Sequence, residues 1–151
     1  MDELDRRLIE ALMADGRAHV STLAHRLEVP RSTVQERLKR LQERGIITSF
    51  RPMLDHAQLG RPVQAHILAR FTSGAGIGQR EVAARLAAIP GVEEVHVASG
   101  EWDLILRVRG KDLEDIADLV LDHIRAVPGI ERTLTCSSFH VAEGVGAPLL
   151  V

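Results

Sequence analysis

Apolar residues between positions 30 and 45 recur with the period of an α-helix. Val34, Leu38 and Leu41 stand at i, i+4 and i+7 and therefore form one apolar stripe. Gly45 follows the last of them, where a residue that tolerates left-handed backbone is placed to end a helix. The pattern predicts an amphipathic helix with one face in a hydrophobic core.

The opposite face of this helix is polar and basic. Ser32 is positioned to cap the amino end, and Gln35 three residues later completes the pattern of a capping box. Short polar side chains crowd the amino end and cations follow, as in a helix that enters a DNA major groove. On its own, a basic amphipathic helix fits a solvated surface equally well. The polar face consists of Ser32, Glu36, Lys39, Arg40 and Glu43, with Thr33 and Gln35 at its margins.

The preceding residues favour DNA binding over a merely solvated helix. Residues 20–29 predict a short helix opened by Ser21, with Leu23 and Leu27 buried, and only a tight turn that contains Pro30 separates it from the next helix. Two short helices joined in this way describe a helix-turn-helix, whose second helix reads DNA. A third, earlier helix is predicted up to Asp15-Gly16 by the apolar positions Leu4, Leu8, Ile9, Ala11 and Leu12.

A different pattern follows the predicted recognition helix. Residues 46–52 are β-prone and end at Pro52, so they predict a strand or wing. Residues 55–59 favour one further helical turn, and the Gly-Arg-Pro sequence at 60–62 marks a domain boundary. We therefore expect a DNA-binding domain over residues 1–60 and a second domain over residues 61–151.

The second half contains an internal repeat. The sequence AIPGVE at 88–93 returns as AVPGIE at 126–131, each time between an amphipathic segment and a β-prone one. Strands are predicted at 63–71, 92–98, 104–108 and 130–141, and helices at 78–89 and 113–127. The inward residues of these helices are Val82, Leu86 and Ile89 in the first, and Ile116, Val120 and Ile124 in the second.

The order of these elements is β-α-β-β-α-β, the ferredoxin-like arrangement. The predicted fold class is therefore α+β, with an N-terminal winged helix-turn-helix followed by a ferredoxin-like domain. Helices on one face of a four-stranded sheet leave the other face without a partner, and a second copy of the chain is the obvious one. We expect a homodimer.

Charge and cysteine content narrow the function. The net charge is only −2, yet residues 31–51 hold six Lys/Arg against two Asp/Glu, a local net of +4. A local patch of this kind is what phosphate binding requires.

Cys136 is the one cysteine, no apolar run is long enough for a membrane span, and the acidic first residues lack the order of a signal peptide. These features predict a cytoplasmic protein with no membrane partner.

The order of parts resembles the Lrp/AsnC (feast/famine) family of transcriptional regulators, from Leu4 to about Val141. Residues 4–12 look like the family's opening helix, and residues 23–47 are similar to its reading unit. Residues 100–104, GEWDL, match its Gly-x-aromatic-Asp hairpin. The resemblance implies a DNA-binding regulator whose second domain assembles the protein, often as an octamer, and binds a small effector, often an amino acid.

The resemblance places the effector near this hairpin, between dimers, with the last strand of a neighbour contributing. Asp103 is suited to pair with an ammonium group, while backbone N–H groups and hydroxyls are suited to a carboxylate. A simple hairpin turn explains Gly100 and Asp103 equally well, and Trp102 fits interface packing as well as ligand contact. The implied effector contacts are Gly100, Trp102, Asp103, Leu104, Thr133 and Thr135.

For double-stranded DNA, Lys39 and Arg40 are the expected phosphate contacts. Base preference is expected from Ser32, Thr33, Gln35 and Glu36, although Glu36 is placed either to accept from a cytosine or to pair with Arg40. The expected DNA contacts are Arg31, Ser32, Thr33, Gln35, Glu36, Lys39 and Arg40.

Other chemistry finds little support. His66, His96, Cys136 and His140 fall on predicted strands without the close spacing of metal ligands, so we expect no metal and no cofactor. No phosphate loop, nucleophile elbow or paired-carboxylate motif occurs, and we expect no enzyme. Two alternatives remain: a small-molecule-binding assembly protein whose helical module contacts protein, and an enzyme on a dimeric ferredoxin-like fold.

Overall fold

The computed structural model describes residues 1–72, 74 and 76–142 of the chain. These residues form two compact units, Met1–Met53 and Leu54–Val141, each with its own hydrophobic core. The turn before Gly60 groups with the second unit, because the N–H of Arg61 donates to the carbonyl of His56 at 2.8 Å. The carboxy-terminal residues 143–151, which the sequence does not assign, lie outside the described residues.

The first unit is the expected three-helix module. Its helices are α1 (Glu3–Ala14), α2 (Val20–Leu27) and α3 (Arg31–Glu43). The apolar stripes of all three meet in one core, which confirms the helical periodicity. The buried core residues are Leu8, Ala11, Leu23, Ala24, Leu27, Val34 and Leu41.

The capping of α2 and α3 differs from the prediction. Helix α3 begins at Arg31 with Pro30 as its N-cap, α2 begins at Val20, and neither has a side-chain cap. The predicted capping box at Ser32 and Gln35, and the predicted opening at Ser21, are therefore wrong. The carbonyl of Pro30 already accepts from the N–H groups of Thr33 and Val34, at 3.1 and 3.3 Å, so the helix begins before Ser32.

The carboxyl end of α3 is as predicted. Gly45 has φ +68°, and its N–H donates to the carbonyl of Gln42 at 2.9 Å. The N–H of Ile46 donates to the carbonyl of Leu41 at 2.9 Å, which completes a Schellman motif.

The predicted wing is not present. Residues 46–52 form no strand, and the strands of the described residues all belong to the second unit. A β-prone segment needs a neighbour to pair with, and Pro52 lacks the N–H that a ladder would use. The N–H of Ile47 instead donates to the carbonyl of Leu41 at 3.2 Å.

The second unit has the expected β-α-β-β-α-β order. Its elements are β1 (Val63–Phe71), α4 (Gln79–Ala87), β2 (Val92–Val97), β3 (Leu104–Gly110), α5 (Leu113–Asp118) and β4 (Ile130–Ser137), and a π-helical segment, Leu119–Ile124, continues α5. The sheet is antiparallel with the order β2-β3-β1-β4, which confirms the ferredoxin-like topology. Before β1, residues 55–59 form the predicted single turn, in which the N–H of Leu59 donates to the carbonyl of Asp55 at 3.2 Å.

Strand register assigns each side chain to one of two faces. Ala65 pairs with Val108 and Ile67 with Leu106, and all four are fully buried against the helices. The helices contribute the expected inward residues, among which Val82, Leu86, Ile116, Val120 and Ile124 are buried. We call the other side of the sheet, which packs against no described helix of this unit, the open face; it carries Gln64, His66, Leu68, Arg70, Ile105, Arg107, Arg109, Arg132, Leu134 and Cys136.

The two Pro-Gly steps of the internal repeat are turns with matching backbone. Gly91 has φ +97° and Gly129 has φ +95°, a region that L-residues rarely adopt. At Gly129 a Cβ atom would also lie 2.9 Å from the ring of Phe71. None of the helices described is long and apolar enough to cross a membrane.

Candidate nucleic-acid interface and effector hairpin

Helix α3 presents its polar face to solvent. Ser32, Gln35 and Glu36 are exposed, and the side chain of Lys39 is 77% exposed. Thr33 is half-buried at the margin of this face. The polar groups and the Lys39 ammonium therefore lie on one accessible helix surface, opposite the residues that enter the core.

Arg40 belongs to an ion pair that the sequence did not reveal. Its Nη2 atom lies 2.9 and 2.8 Å from the two carboxylate oxygens of Asp5, and Asp5 is fully buried. Arg37 donates from Nη1 to the same carboxylate at 3.1 Å and also pairs with Asp2. Arg40 thus pairs with acids of the α1 region and not with Glu36, which was one predicted partner.

The amino end of α1 organises these acids. The side chain of Asp2 accepts from the N–H of Asp5 at 3.0 Å, and the side chain of Asp5 accepts from the N–H of Asp2 at 3.1 Å, a reciprocal capping box. Together with Arg37 and Arg40, these carboxylates form what we call the α1–α3 ion network. Its partners are far apart along the chain, so helical periodicity gives no signal for it.

Hydrogen bonds within the network shift the pKa values of Asp2, Asp5 and Arg37 in the direction that favours their charged forms. The hydrogen bond from the Asp5 N–H, followed by the one from Arg37, lowers the pKa of Asp2. Burial pushes the pKa of Asp5 upward, but hydrogen bonds from the Asp2 N–H and from Arg37 outweigh it, and the net direction is down. Hydrogen bonds to Asp2 and Asp5 raise the pKa of Arg37.

The turn between α2 and α3 contains a residue with left-handed backbone. Glu28 has φ +58° and ψ +41°, and it is the one described non-glycine residue with positive φ. Its N–H donates to the carbonyl of His25 at 3.3 Å, and the N–H of Val29 donates to that of Ala24 at 3.0 Å. The turn that sets the angle of α3 is therefore built on a strained position.

The hairpin between β2 and β3 has the features expected of a tight turn. Gly100 has φ +133°, which confirms its predicted conformation. The carboxylate of Asp103 accepts from the backbone N–H of Phe71 at 2.9 Å and from Nε2 of Gln79 at 3.2 Å. Asp103 thereby fixes the end of β1 and the start of α4, a contact that sequence reasoning missed.

The Trp102 ring lies within cation–π distance of two arginines. The guanidinium carbons of Arg70 and Arg132 lie 5.8 and 5.7 Å from the centre of its ring. These two arginines are register partners on the open face, and Glu101 pairs with Arg70 at 3.4 Å. Cross-strand pairing of Arg70 with Arg132 depends on the register, which the sequence alone does not fix, so both were missed.

The other expected effector contacts lie elsewhere. Leu104 is fully buried in the core between sheet and helices, which corrects its expected place among the effector contacts. Thr133 pairs with Ala69 and Thr135 with Ile67, and both partners on β1 are fully buried. The two threonines therefore lie on the helix side of the sheet, and within one chain the structure does not bring them to Trp102.

No candidate metal centre emerges. His66 and Cys136 are register partners on the open face, but within residues 1–72, 74 and 76–142 no group of three or more potential ligands lies together.

Comparison with known proteins gives the same division of the chain. Residues 1–42 match the family model of the AsnC-type helix-turn-helix domain. Residues 64–142 match the model of the Lrp/AsnC ligand binding domain. The two matches coincide with the three-helix module and with the four-stranded sheet and its helices.

Two HTH-type transcriptional regulators are similar to this chain over most of their length. An uncharacterized HTH-type transcriptional regulator of Pyrococcus horikoshii is 44% identical, with 92% of this chain and 93% of that protein covered. The HTH-type transcriptional regulator FL11 of the same organism is 33% identical over 89% of this chain and 87% of its own length.

Solved structures have the same fold. The feast or famine regulatory protein from M. tuberculosis, complexed with L-methionine, is 28% identical, with a TM-score of 0.87 and 96% of each chain covered. A transcriptional regulator from Neisseria meningitidis, also an L-methionine complex, has a TM-score of 0.89 at 21% identity and covers 97% of this chain and 95% of its own. The chain therefore belongs to the Lrp/AsnC family of DNA-binding transcriptional regulators.

Proposed function

We propose that the protein binds operator DNA as a homodimer through α3 and that an amino-acid effector, bound near the Gly100 hairpin, controls its assembly. It acts as a regulator and not as an enzyme, in the cytoplasm where its DNA lies. The single observation that carries the proposal is the exposed polar face of α3 within a helix-turn-helix that matches the family model over residues 1–42.

The DNA contacts divide into two groups. Lys39 is largely exposed to solvent, and its ion pair with Glu43 at 3.7 Å is an exposed i,i+4 pair of little strength. Lys39 and Arg31 are the proposed phosphate contacts on α3. We assign Arg40 to the α1–α3 ion network instead of to phosphate, because its Nη2 atom donates to both carboxylate oxygens of Asp5 and its guanidinium is thereby directed towards α1.

Base preference is assigned to the residues at the amino end of α3. Since α3 has no side-chain cap, Ser32 and Gln35 are not engaged with each other and remain available to base edges. The Gln35 amide suits the N6 and N7 atoms of adenine, and Glu36 suits cytosine N4. Thr33, half-buried at the margin, completes this group.

The open face provides the proposed dimer contact. Leu68 and Ile105 are register partners there, and Leu134, 46% exposed, pairs with Leu68 from the other side. A second copy would bury this apolar row. The dimer then places two α3 helices in successive major grooves about 34 Å apart, and four dimers give the octamer implied by the family.

The effector site is proposed around Trp102. Its ring supplies an apolar surface, and Arg70 and Arg132 supply two cations for a carboxylate. Glu101 pairs with Arg70, so Asp103 of the same hairpin is the acid proposed to bind an ammonium group. Thr133 and Thr135 would come from a neighbouring chain. The relative from M. tuberculosis binds L-methionine, which supports an amino acid as the class of effector.

Two measurements on the full-length protein test this proposal. In a gel-shift titration, the DNA upstream of its own gene should be retained at lower protein concentration than a scrambled duplex of the same length. In a thermal shift series across the common amino acids, at least one should raise the unfolding midpoint. Equal binding to both duplexes would contradict sequence-specific regulation, and a flat amino-acid series would contradict the effector assignment.

A further inference from the structure

Some of the cationic side chains of α3 are held in ion pairs within the three-helix unit. Lys39 points into solvent, but Arg37 and Arg40 both direct their guanidinium groups to the carboxylate of Asp5 on α1. The side chain of Arg37 is only 24% exposed, and that of Arg40 is 44% exposed. Two of the positive charges that the sequence attributes to a DNA-binding helix are therefore held by an acid of another helix.

The buried position of Asp5 makes this arrangement firm. A fully buried carboxylate is costly unless ion pairs and hydrogen bonds compensate it. Here the compensation comes from two guanidinium groups and from the backbone N–H of Asp2. Moving either arginine to a DNA phosphate would leave the buried charge with fewer partners, so the ion network competes with phosphate for the same groups.

We infer that Asp5 is a specificity-determining positioning residue, which holds Arg37 and Arg40 away from the DNA backbone and so limits binding to non-cognate DNA. The inference rests on the proposed DNA face of α3. Its physical basis is that phosphate contacts give affinity for any sequence, whereas base contacts give discrimination. By fixing α3 against α1 and removing two free cations, Asp5 shifts the balance towards discrimination.

The test compares matched neutral variants of the full chain. Asp5→Asn removes the charge but keeps a carbonyl oxygen for the Asp2 N–H. Glu10→Gln, an exposed position on another face of α1, makes the same change in net charge away from the network. Affinities are measured for the duplex that the wild type selects from a random pool and for a scrambled duplex of the same length, over a range of salt concentrations.

For Asp5→Asn we expect the affinity for the scrambled duplex to rise about tenfold at 0.1 M salt, with a salt slope steeper by about 0.9 for each arginine that reaches a phosphate. The ratio of selected to scrambled affinity should fall. Glu10→Gln should change neither slope nor ratio. A loss of affinity for both duplexes with an unchanged slope would overturn the inference, because that is what simple loss of structural support gives.

A second set of variants keeps the inference testable if Asp5→Asn does not fold. Arg40→Gln removes a side chain that, on this inference, contacts no phosphate in the wild type, so its salt slope should equal that of the wild type. A slope lower by about 0.9 would overturn the inference. Where Asp5→Asn does fold, the double variant Asp5→Asn/Arg40→Gln should show a smaller gain in scrambled-duplex affinity than Asp5→Asn alone.

Lys39→Gln separates the two proposals. It should lower the salt slope by about 0.9, because Lys39 is the proposed phosphate contact. An unchanged slope for Lys39→Gln contradicts the DNA face itself. A lowered slope for Lys39→Gln together with a lowered slope for Arg40→Gln leaves the DNA face intact and contradicts the role of Asp5.

Discussion

The carboxylate of Asp103 and the backbone N–H of Phe71 are joined by a hydrogen bond of 2.9 Å, which links the start of β3 to the end of β1. An acid in this position can do two separate things: its oxygen accepts a hydrogen bond from the backbone, and its negative charge can attract a ligand. Variants that remove one or both can therefore distinguish the structural role from the proposed effector role.

Asp103→Asn should abolish the amino-acid thermal shift while changing the free energy of unfolding by less than about 1 kcal/mol. Its amide oxygen still accepts from Phe71, and its NH₂ group can pair with a flipped Gln79 amide. Asp103→Ala should in addition destabilise the second unit by about 1–3 kcal/mol, because the Phe71 N–H loses its partner. Urea denaturation followed by Trp102 fluorescence measures the free energy of unfolding of each variant, and the thermal shift series is repeated with each. A wild-type thermal shift in Asp103→Asn would contradict the place of Asp103 in the effector site.

Gln35→Ala and Glu36→Ala should change which DNA sequence the protein selects. A good bidentate contact contributes about 1–3 kcal/mol of discrimination between bases, so each variant should relax one position of the selected site by roughly that amount. Selection from a random pool, followed by sequencing, gives the result directly. If both variants select the wild-type site, discrimination arises from DNA shape and bending instead.

The low pKa of Asp5 predicts acid sensitivity of the three-helix unit. Because its folded-state pKa lies below the ordinary value of 3.8, the ionised group stabilises the fold above about pH 3.8. That contribution is lost as the pH falls below this value towards the folded pKa. Far-UV circular dichroism reports helices of both units, whereas Trp102, the one tryptophan, reports the second. As the pH is lowered, the thermal unfolding midpoint measured by circular dichroism should fall more in the wild type than in Asp5→Asn. If the midpoints of the two proteins fall in parallel with pH, the prediction is wrong.

Glu28→Gly should stabilise the protein by about 0.5–1 kcal/mol. Glycine adopts φ +58° without the steric cost that a side chain incurs there. Glu10→Gly, within α1, is the control and should destabilise by about 1 kcal/mol. Urea denaturation followed by circular dichroism measures both; equal destabilisation by the two variants would show that Glu28 is not strained.

Local patterns predicted most of the fold, because each element buries residues at its own period. The strand Val63–Phe71 and the inward positions Ile116, Val120 and Ile124 follow directly from spacing. The alternation Leu104, Leu106, Val108 in β3 was also visible, and it places Leu104 in the core; the family resemblance led us to expect it at the effector site instead.

Contacts between distant residues could not be predicted in this way. Helical spacing places Arg40 on the polar face correctly, but its partner Asp5 lies on another helix. Asp5 is in the first turn of α1, where acids are common, so its presence there does not indicate an ion pair. The pairing of Arg70 with Arg132 likewise depends on which strands are neighbours. The wing was predicted from β-propensity alone, which does not say whether a partner strand exists.

If the apolar row on the open face makes the proposed dimer, the behaviour of this regulator depends on its own abundance. In the proposed dimer, Leu68, Ile105 and Leu134 would lose their remaining contact with water, so mass action would link stability to concentration, and the unfolding midpoint should rise as the protein is concentrated. A solitary chain offers DNA one recognition helix, whereas a pair offers two. On this proposal, copy number in the cell would set the fraction of operators that are held at both half-sites, before any effector is present.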